Sequence, residues 1–194
     1  MYDSSEIQRF SLQGPILITP PAFGDARGLF SEVYRQQVFN EMIGDKVEFV
    51  QDNLSISTHA GTVRGLHGQS PPHGVGKLVQ CLRGSVVDVA VDTRKHSPTF
   101  GQHVRVTLSA ENRAQFWVPD GFLHGYATQS PDSLVFYKQT GTYAPGHEIA
   151  VKWDDPDLAI DWGVQAADAT VSDKDADAQN FAAFDTPFTW TKTP

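Results

Sequence analysis

The chain has 194 residues, of which 40% are hydrophobic and 20% are charged, and its formal net charge is -8. This length and composition predict one globular domain with a sizeable core. The acidic balance argues against nucleic acid as a partner, because non-specific nucleic-acid binding needs a basic surface. The first residues carry acids and no long apolar run, so we expect neither a signal peptide nor a membrane-spanning helix, and no membrane partner.

The chain contains a single cysteine, Cys81. A lone cysteine cannot form an internal disulfide, so we expect a reducing, cytoplasmic setting. Because Cys81 lies inside an apolar run, its expected role is that of a small buried hydrophobe rather than a nucleophile.

The N-terminal part of the chain predicts one strand and one helix. Residues 14–20 form a short apolar run bounded by prolines, which is typical of a strand. From Ser31 onward, apolar residues recur at helical spacing and predict a short helix. These residues are Val38, Phe39, Met42 and Ile43.

From Val47 the pattern changes to many short β segments that Gly, Pro, Asn and Asp punctuate. Such a series predicts an all-β fold, an antiparallel sandwich or barrel. The run SVVDVAVD is apolar on both sides, so at least part of it is expected to be buried on both faces. Its carboxylate, Asp88, needs a partner there, and we expect a backbone group or a histidine.

Residues 153–194 carry turn signals and one short helical pattern. Ser172 is the expected N-cap of that helix and Asp175 its third residue. The simplest role for Asp175 is to complement the helix dipole. Since the sequence shows neither repeats nor a low-complexity linker, we expect a single domain over residues 1–194, with a core of about 15–175 and a C-terminal extension at 176–194.

The stretch VRGLHGQSPPHGVGKLVQCL places His67 between two cations, Arg64 and Lys77. In a regular strand Arg64 and His67 point to opposite faces. A bulge at the neighbouring glycines would bring both to one pocket. A histidine alone in a strand is more often a satisfied structural residue, and the two cations are what favour a functional role for His67.

Residues 119–125, PDGFLHG, match the second half of the cupin pattern, which places His124 inside a jelly-roll barrel. The first half requires a second histidine where this chain has Gln69. Zinc and iron sites usually need three protein ligands, whereas His67 and His124 supply two and His59 or His73 would be an improvised third. We therefore expect no metal.

Without a metal, the same barrel offers a base, His67, and a phenol, Tyr137. Histidine can accept a proton near neutral pH, and Lys77 can stabilise the oxygen of an enolate. Tyr137 can return a proton from the opposite face. This set suits proton abstraction beside a carbonyl with inversion at the carbon, hence epimerisation.

A series of stretches, taken in order, resembles the dTDP-4-dehydrorhamnose 3,5-epimerase family from about residue 15 to residue 175. They are GDARGLF, FVQDN, RGLHGQ, GKLVQCLRGSVVDVAVDTRKHSPTFG, LSAEN, WVPDGFLHGY, YKQTGTYAP and KWDDPDLAIDW. The composite is far more specific than any one motif.

The resemblance implies a cupin-like jelly roll without cofactor, which acts on a nucleotide-diphosphate keto-sugar. It implies the conversion of dTDP-4-keto-6-deoxyglucose to its L-rhamno epimer. His67 then matches the proton acceptor, Tyr137 the proton donor and Asp175 the carboxylate that pairs with the histidine. Lys77 matches the group that faces the 4-keto oxygen. The family also implies a homodimer in which partners exchange an N-terminal β segment.

Further positions match residues that contact the substrate and its nucleotide. They are Arg27, Glu32, Gln51, Asp52, Asn53, Arg64, His124, Glu148 and Lys174, with Tyr143 stacking on the thymine. The chain departs from the family pattern at three positions. Gly68 stands where the family usually has an aromatic residue, and Tyr126 and Leu29 stand where phenylalanine is common. These departures concern which sugar fills the pocket and whether one carbon or two is inverted.

Two other functions fit parts of the pattern. One is a metal-dependent cupin enzyme, such as a dioxygenase or a sugar isomerase. Metal analysis of the purified protein distinguishes it from a metal-free epimerase. The other is a non-catalytic sugar-binding cupin. That protein would not need His67, Lys77 and Tyr137 together, and it would not exchange substrate hydrogen with deuterated water.

Overall fold

A computed structural model describes residues 1–191 as thirteen β-strands and two short α-helices. The first strands are β1 (Glu6–Arg9), β2 (Ile16–Thr19), β3 (Phe23–Asp25) and β4 (Gly28–Phe30), followed by the helix α1 (Gln36–Ile43). Next come β5 (Gln51–Ser57), β6 (Val63–Gln69), β7 (Lys77–Arg83), β8 (Ser85–Asp92) and β9 (His103–Ser109). The last elements are β10 (Gln115–Val118), β11 (Phe122–Thr128), β12 (Ser133–Gln139), β13 (Glu148–Ala150) and the helix α2 (Asp173–Ala176). Three 3-10 turns lie at Tyr2–Ser4, Ala166–Asp168 and Phe181–Ala183.

The strands form two main antiparallel sheets and a small hairpin. One sheet has the order β1-β2-β10-β7-β12-β5, and the other has the order β13-β6-β11-β8-β9. Strands β3 and β4 pair only with each other. The prediction of an all-β jelly-roll sandwich with a few short helices is therefore confirmed. None of the helices within residues 1–191 combines the length and hydrophobicity that a membrane crossing needs.

The main core lies between the two sheets. Inward-facing residues of both sheets meet there, among them Val79, Phe116 and Val135 from one sheet and Ala90 and Val106 from the other. Alternation along each strand brings these side chains to one face, as is typical of packed sheets. Burial of this apolar surface is the dominant favourable term for the sandwich.

The outer face of the five-stranded sheet is covered by the C-terminal part of the chain. Val87, Val89 and Val91 of β8 pack there against two buried aromatic residues, Trp162 and Phe184. Strand β8 is therefore buried on both faces, and the prediction made for SVVDVAVD is confirmed.

The helix α1 and the N-terminus cover part of the outer face of the six-stranded sheet. Val38, Phe39 and Met42 of α1 pack there against Ile18 and Trp117. The predicted helix is confirmed, but it begins at Gln36 and not at Ser31. Residue 35 still has an extended backbone, and the helix ends at Gly44, whose φ of 79° allows the left-handed cap.

The pairing of β6 with β11 contains a bulge that shapes the site. His67 is opposite His124 and Arg64 is opposite Tyr126, so β6 has one residue more than β11 between these pairs. The extra residue cancels the alternation, and Arg64 and His67 line the same cavity. The bulge that the sequence required for Arg64 and His67 to share one pocket is therefore present.

Gly65 lies in this bulge with a φ of 119°. A Cβ at this position would lie 2.7 Å from the Gly125 Cα and 2.7 Å from the His124 carbonyl oxygen. Both atoms belong to the facing backbone, which cannot move aside as a flexible side chain can. Only glycine lets the two strands approach this closely.

We predict that Gly65→Ala lowers the free energy of unfolding by about 2 kcal/mol or more, because both the backbone conformation and the close contact are lost. Denaturant unfolding followed by circular dichroism measures the change. Gly24→Ala is the matched control, since the nearest atom to its added Cβ is 3.7 Å away. Equal stability of the two variants would contradict the role given to Gly65.

Candidate active site

A groove opens between the two sheets and has two halves that share His67, Lys77 and Tyr137. The larger half has a volume of about 480 Å³ and is lined by both histidines of the barrel, by Arg64 and by the start of α2. Concave sites of this size are typical of small-molecule pockets. The three shared residues stand where the halves join, which makes them the natural centre of the site.

His67 forms a hydrogen bond with the carboxylate of Asp175, which comes from a distant part of the chain. Its Nε2 lies 2.5 Å from Oδ1 of Asp175, and Oδ2 of Asp175 accepts from the Gly65 amide at 3.2 Å. Ser172 caps α2, as predicted, by accepting from the Asp175 amide at 3.2 Å. The start of α2 therefore fixes the carboxylate beneath the imidazole.

The electrostatics of this pair favour an ionised carboxylate. Burial alone would raise the pKa of Asp175, but the hydrogen bond and the charge of His67 bring that pKa below its ordinary value. An ionised Asp175 at Nε2 holds the proton on that nitrogen and leaves Nδ1 of His67 with the lone pair. A carboxylate in this position also stabilises the imidazolium that forms when Nδ1 takes a proton.

Tyr137 faces His67 from the other sheet. It lies on β12, in the six-stranded sheet, whereas His67 lies on β6 in the five-stranded sheet. Burial raises the pKa of Tyr137, and the charge of Arg64 offsets only part of that rise. The phenol therefore keeps its proton at neutral pH and stands across the groove from the imidazole.

Lys77 lies at the start of the adjacent strand β7, opposite Gln139, and lines the groove together with Tyr137. Burial lowers the pKa of its ammonium group from the usual 10.5 to about 8, while the charge of Asp88 acts in the opposite direction. No ion pair among the described residues involves Lys77. A half-buried cation without an ion-pair partner among the described residues is suited to meet an oxygen of a ligand.

His124 and Arg64 complete the inner half of the groove. Nε2 of His124 donates to Oδ1 of Asp88 at 2.8 Å, so of the two partners expected for Asp88, a backbone group or a histidine, the structure has the histidine. The Arg64 guanidinium donates to the Ser57 hydroxyl at 3.3 Å and to the Ile56 carbonyl at 3.4 Å. These contacts hold Arg64 at the edge of the cavity.

The outer half of the groove carries amide groups, an aromatic ring and an ion pair. Gln51 and Asn53 both donate to the side-chain oxygen of Gln139. Tyr143 lines this half with its ring exposed. Nearby, the Lys174 ammonium lies 2.6 Å from a Glu148 carboxylate oxygen.

Three residues expected to contact substrate lie outside the groove in the single chain. Arg27 is at the turn between β3 and β4, with its side chain 89% exposed, and pairs with Asp25. Glu32 pairs with Arg35. Asp52 points to the other face of β5, where Lys138 donates to it at 2.8 Å. Their contacts with substrate stay predictions.

The structure pairs Tyr126 with a polar residue of the groove, Ser55, that was not among the predicted site residues. The Tyr126 hydroxyl donates to Ser55 at 3.0 Å, and both residues line the inner half of the groove. The alternation that turns Gln51 and Asn53 inward along β5 also turns Ser55 inward, so this residue could have been found from the strand period alone.

Both barrel histidines have a carboxylate partner rather than each other. His67 bonds Asp175 and His124 bonds Asp88. Within residues 1–191, no three His, Cys, Asp or Glu side chains come together as a metal site would need. The ring of His73, considered above as a third ligand, instead lies against that of His147, with 4.3 Å between centroids and a tilt of 54°.

Comparison with known proteins identifies one family. The family model for dTDP-4-dehydrorhamnose 3,5-epimerase matches residues 9–183. The enzyme of that name from Sinorhizobium fredii is 44% identical over 190 residues, which cover 98% of this chain and 96% of the relative.

Solved structures show the same relationship. The structure of dTDP-6-deoxy-D-glucose-3,5-epimerase from Legionella pneumophila, in complex with dTDP-4-keto-L-rhamnose, has a TM-score of 0.91 at 42% identity. The match covers 96% of this chain and all of the other. A 3'-monoepimerase from Streptomyces bikiniensis, in complex with dTDP-quinovose, has a TM-score of 0.83 at 32% identity and covers 89% of this chain and 86% of the other.

The depressed pKa of Lys77 predicts that this residue destabilises the fold at neutral pH. Between pH 8 and pH 10.5 the unfolded chain binds the proton more tightly, so stability rises with pH through that window and the destabilisation is fully present below it. We expect Lys77→Met to raise the free energy of unfolding at pH 7 by about 1–3 kcal/mol. The gain should shrink toward pH 10.

Urea unfolding at pH 7 and pH 10 measures this difference. Lys46→Met is the matched control, because Lys46 is exposed and its replacement should change stability by no more than about 0.5 kcal/mol. A Lys77→Met variant less stable than the parent at pH 7 would mean that the ammonium is better solvated or paired than the groove indicates.

Proposed function

The chain belongs to the dTDP-4-dehydrorhamnose 3,5-epimerase family, and on this premise we propose the reaction that its groove carries out. The protein is an epimerase of the isomerase class that acts on a dTDP-linked 4-keto-6-deoxy sugar. Its substrate is dTDP-4-keto-6-deoxyglucose, and its product is dTDP-4-dehydrorhamnose, inverted at C3 and C5.

The observation that carries the mechanism is the placement of the His67–Asp175 pair and Tyr137 on opposite sides of one groove. A base and an acid on the same side would return a proton to the face from which it came. Groups on opposite sides instead invert the carbon between them. The two-sheet architecture thus supports epimerisation rather than simple exchange.

In the first step, Nδ1 of His67 removes the proton from C3 or C5 of the sugar. Both carbons are acidified by the C4 ketone that they flank. The electron pair of the broken C–H bond moves into the ring and forms an enolate on the C4 oxygen. Lys77 stabilises the negative charge on that oxygen, and Asp175 stabilises the imidazolium.

In the second step, the Tyr137 hydroxyl donates its proton to the same carbon from the opposite face. The enolate returns to the ketone, and the carbon is inverted. The tyrosinate regains a proton from solvent and the imidazolium loses one, so the enzyme returns to its starting state. The raised pKa of Tyr137 keeps the phenol protonated before each turnover.

The rest of the groove holds the nucleotide. Tyr143 stacks on the thymine, as its exposed ring in the outer half allows. Arg64 binds the diphosphate, because a guanidinium can make paired hydrogen bonds to phosphate oxygens. The side chains of Gln51, Asn53, Glu148 and Lys174 contact the nucleotide and sugar from the walls of the groove.

His67→Ala and Tyr137→Phe should fail in different ways. We expect His67→Ala to abolish turnover and deuterium exchange at C3 and C5, a loss of at least about 10²–10⁴-fold, the usual contribution of a general base. Tyr137→Phe should lose most net inversion yet keep some exchange, since His67 can still remove a proton and return it to the same face.

Proton NMR of the sugar in deuterated water measures both the net inversion and the deuterium exchange at C3 and C5. His59→Ala and Tyr34→Phe are matched controls outside the groove and should turn over normally. If the two site variants lose exchange equally, separate base and acid roles are wrong. Normal exchange in His67→Ala would mean that the whole site is misplaced.

We further propose that two copies of the chain assemble and complete each other's grooves. On the outer face of β5, an edge strand, Leu54 is 59% and Ile56 51% exposed. Phe30 of the β3–β4 hairpin is 62% exposed. Apolar patches of this kind are typical of protein interfaces, and Arg27 and Glu32 would reach substrate only from a partner.

Ile56→Asp should therefore give a monomer in light scattering at micromolar concentration and should weaken substrate binding, because the partner's residues no longer reach the groove. Phe100→Asp is the matched control, since Phe100 is also exposed but lies in the loop between β8 and β9, beside Phe181 of the last 3-10 turn. A parent protein that is already monomeric at full activity would contradict the assembly.

A further inference from the structure

Asp88 is a buried carboxylate that the fold leaves half satisfied. It lies in the middle of β8, between two valines, and is 0% exposed. Its Oδ1 accepts from His124, while its Oδ2 has no hydrogen-bond partner among the described residues. An unpaired buried carboxylate oxygen costs free energy, so its retention needs a compensating role.

Asp92, on the same strand, shows how this fold satisfies a purely structural carboxylate. Its two oxygens accept hydrogen bonds from Arg94, Ser97 and Thr99, at 2.6 to 3.0 Å. Asp88 has one bond where Asp92 has several. The difference between the two residues is their position, because Asp88 lies beneath the groove and Asp92 lies at the end of the strand.

The bond between Asp88 and His124 sets the tautomer of the histidine. Burial lowers the pKa of His124, against the opposing effect of Asp88, so the imidazole is neutral at neutral pH. A neutral ring that donates at Nε2 carries a lone pair at Nδ1. His124 lines the inner half of the groove, so this lone pair is available to a hydroxyl of the bound sugar.

The negative charge of Asp88 also acts on Lys77, where it raises the pKa of the ammonium group against the effect of burial. The groups around Lys77 come from every element packed against the groove, while β10 contributes no charged residue. They are Arg64 and His67 on β6, His124 and Tyr126 on β11, Tyr137 on β12, Glu148 on β13, Lys174 and Asp175 on α2, and Asp88 on β8. Of these, Glu148 forms an ion pair with Lys174, and Asp175 forms a hydrogen bond with His67.

We propose that Asp88 is a positioning residue of the epimerisation, which holds His124 as the hydrogen-bond acceptor of a sugar hydroxyl and keeps Lys77 charged opposite the enolate oxygen. The proposal rests on the proposed function and assigns it one further residue. Asp88 touches no substrate itself and acts through the two side chains above it.

The pKa of Lys77 agrees in sign with this role. Burial has already brought that pKa to about 8, and Asp88 opposes the fall. Removing the carboxylate charge lowers the pKa of Lys77 further. The ammonium group is then lost at a lower pH, and the enolate loses its counter-charge within the neutral range.

The test is the pH dependence of kcat in Asp88→Asn, whose amide oxygen can still accept from His124. We expect the basic limb of the profile to move to lower pH by about one unit, so that the loss of kcat is greater at pH 8 than at pH 6. Asp92→Asn is the matched control, with the same change on the same strand, and should keep the parent profile.

The outcomes distinguish a failure of the proposed epimerase function from a failure of the role proposed for Asp88. If the parent protein does not epimerise dTDP-4-keto-6-deoxyglucose, the proposed function fails. If the parent is active and Asp88→Asn keeps the parent's basic limb, the role of Asp88 is overturned. A uniform loss of kcat at every pH would also overturn it, because a merely structural defect has that form.

A second measurement needs no Asp88 variant to fold. Nitrogen-15 NMR of histidine-labelled parent protein reports the tautomer of each ring, and the His124 signal is assigned by its loss in His124→Asn. A neutral ring protonated at Nε2 at pH 7 supports the proposal. A ring protonated at Nδ1, or an imidazolium, overturns it.

Discussion

The bond between His67 and Asp175 joins two parts of the chain that are far apart in sequence, and the arrangement of the groove depends on it. Asp175 is fixed by the cap of α2 and by the Gly65 amide, so the imidazole is fixed in turn. The bond also decides which nitrogen accepts a proton. Without it, His67, the proposed base, would lose both its orientation and the stabilisation of its charged form.

The second constraint on the groove is the packing of the five-stranded sheet against the six-stranded sheet. Each sheet supplies one of the two groups that we propose exchange protons with the sugar, and the core between the sheets sets their separation. The bulge at Gly65 turns Arg64 toward the same cavity as His67. In a regular β6 without the bulge, Arg64 and His67 would point to opposite faces of the sheet, and only one of them would line the cavity.

Much of this could be predicted from the sequence, because periodicity and capping are local signals. The central strands, the double burial of β8 and the Ser172 cap follow from such signals. For Asp88 the sequence left a backbone group and a histidine as possible partners, and only the fold decides for His124. Strands β1, β3 and β4 were missed, since all their residues are exposed and exposed strands lack an inside–outside alternation.

The distances across the groove could not be predicted, because they depend on how two sheets pack. The position of Asp52, turned away from the groove, follows from the same alternation that turns Asn53 inward. For Arg27 and Glu32, a single sequence does not distinguish a contact within the chain from one to a partner.

The most direct test of the central claim is a crystal structure of the protein with a dTDP-6-deoxy sugar that lacks the C4 ketone and therefore cannot react. The account predicts that the sugar ring lies between the sheets, with Nδ1 of His67 within about 3.5 Å of C3 or C5 and the Tyr137 hydroxyl on the opposite face of the ring. A sugar bound with both groups on one face, or outside the groove, would contradict it.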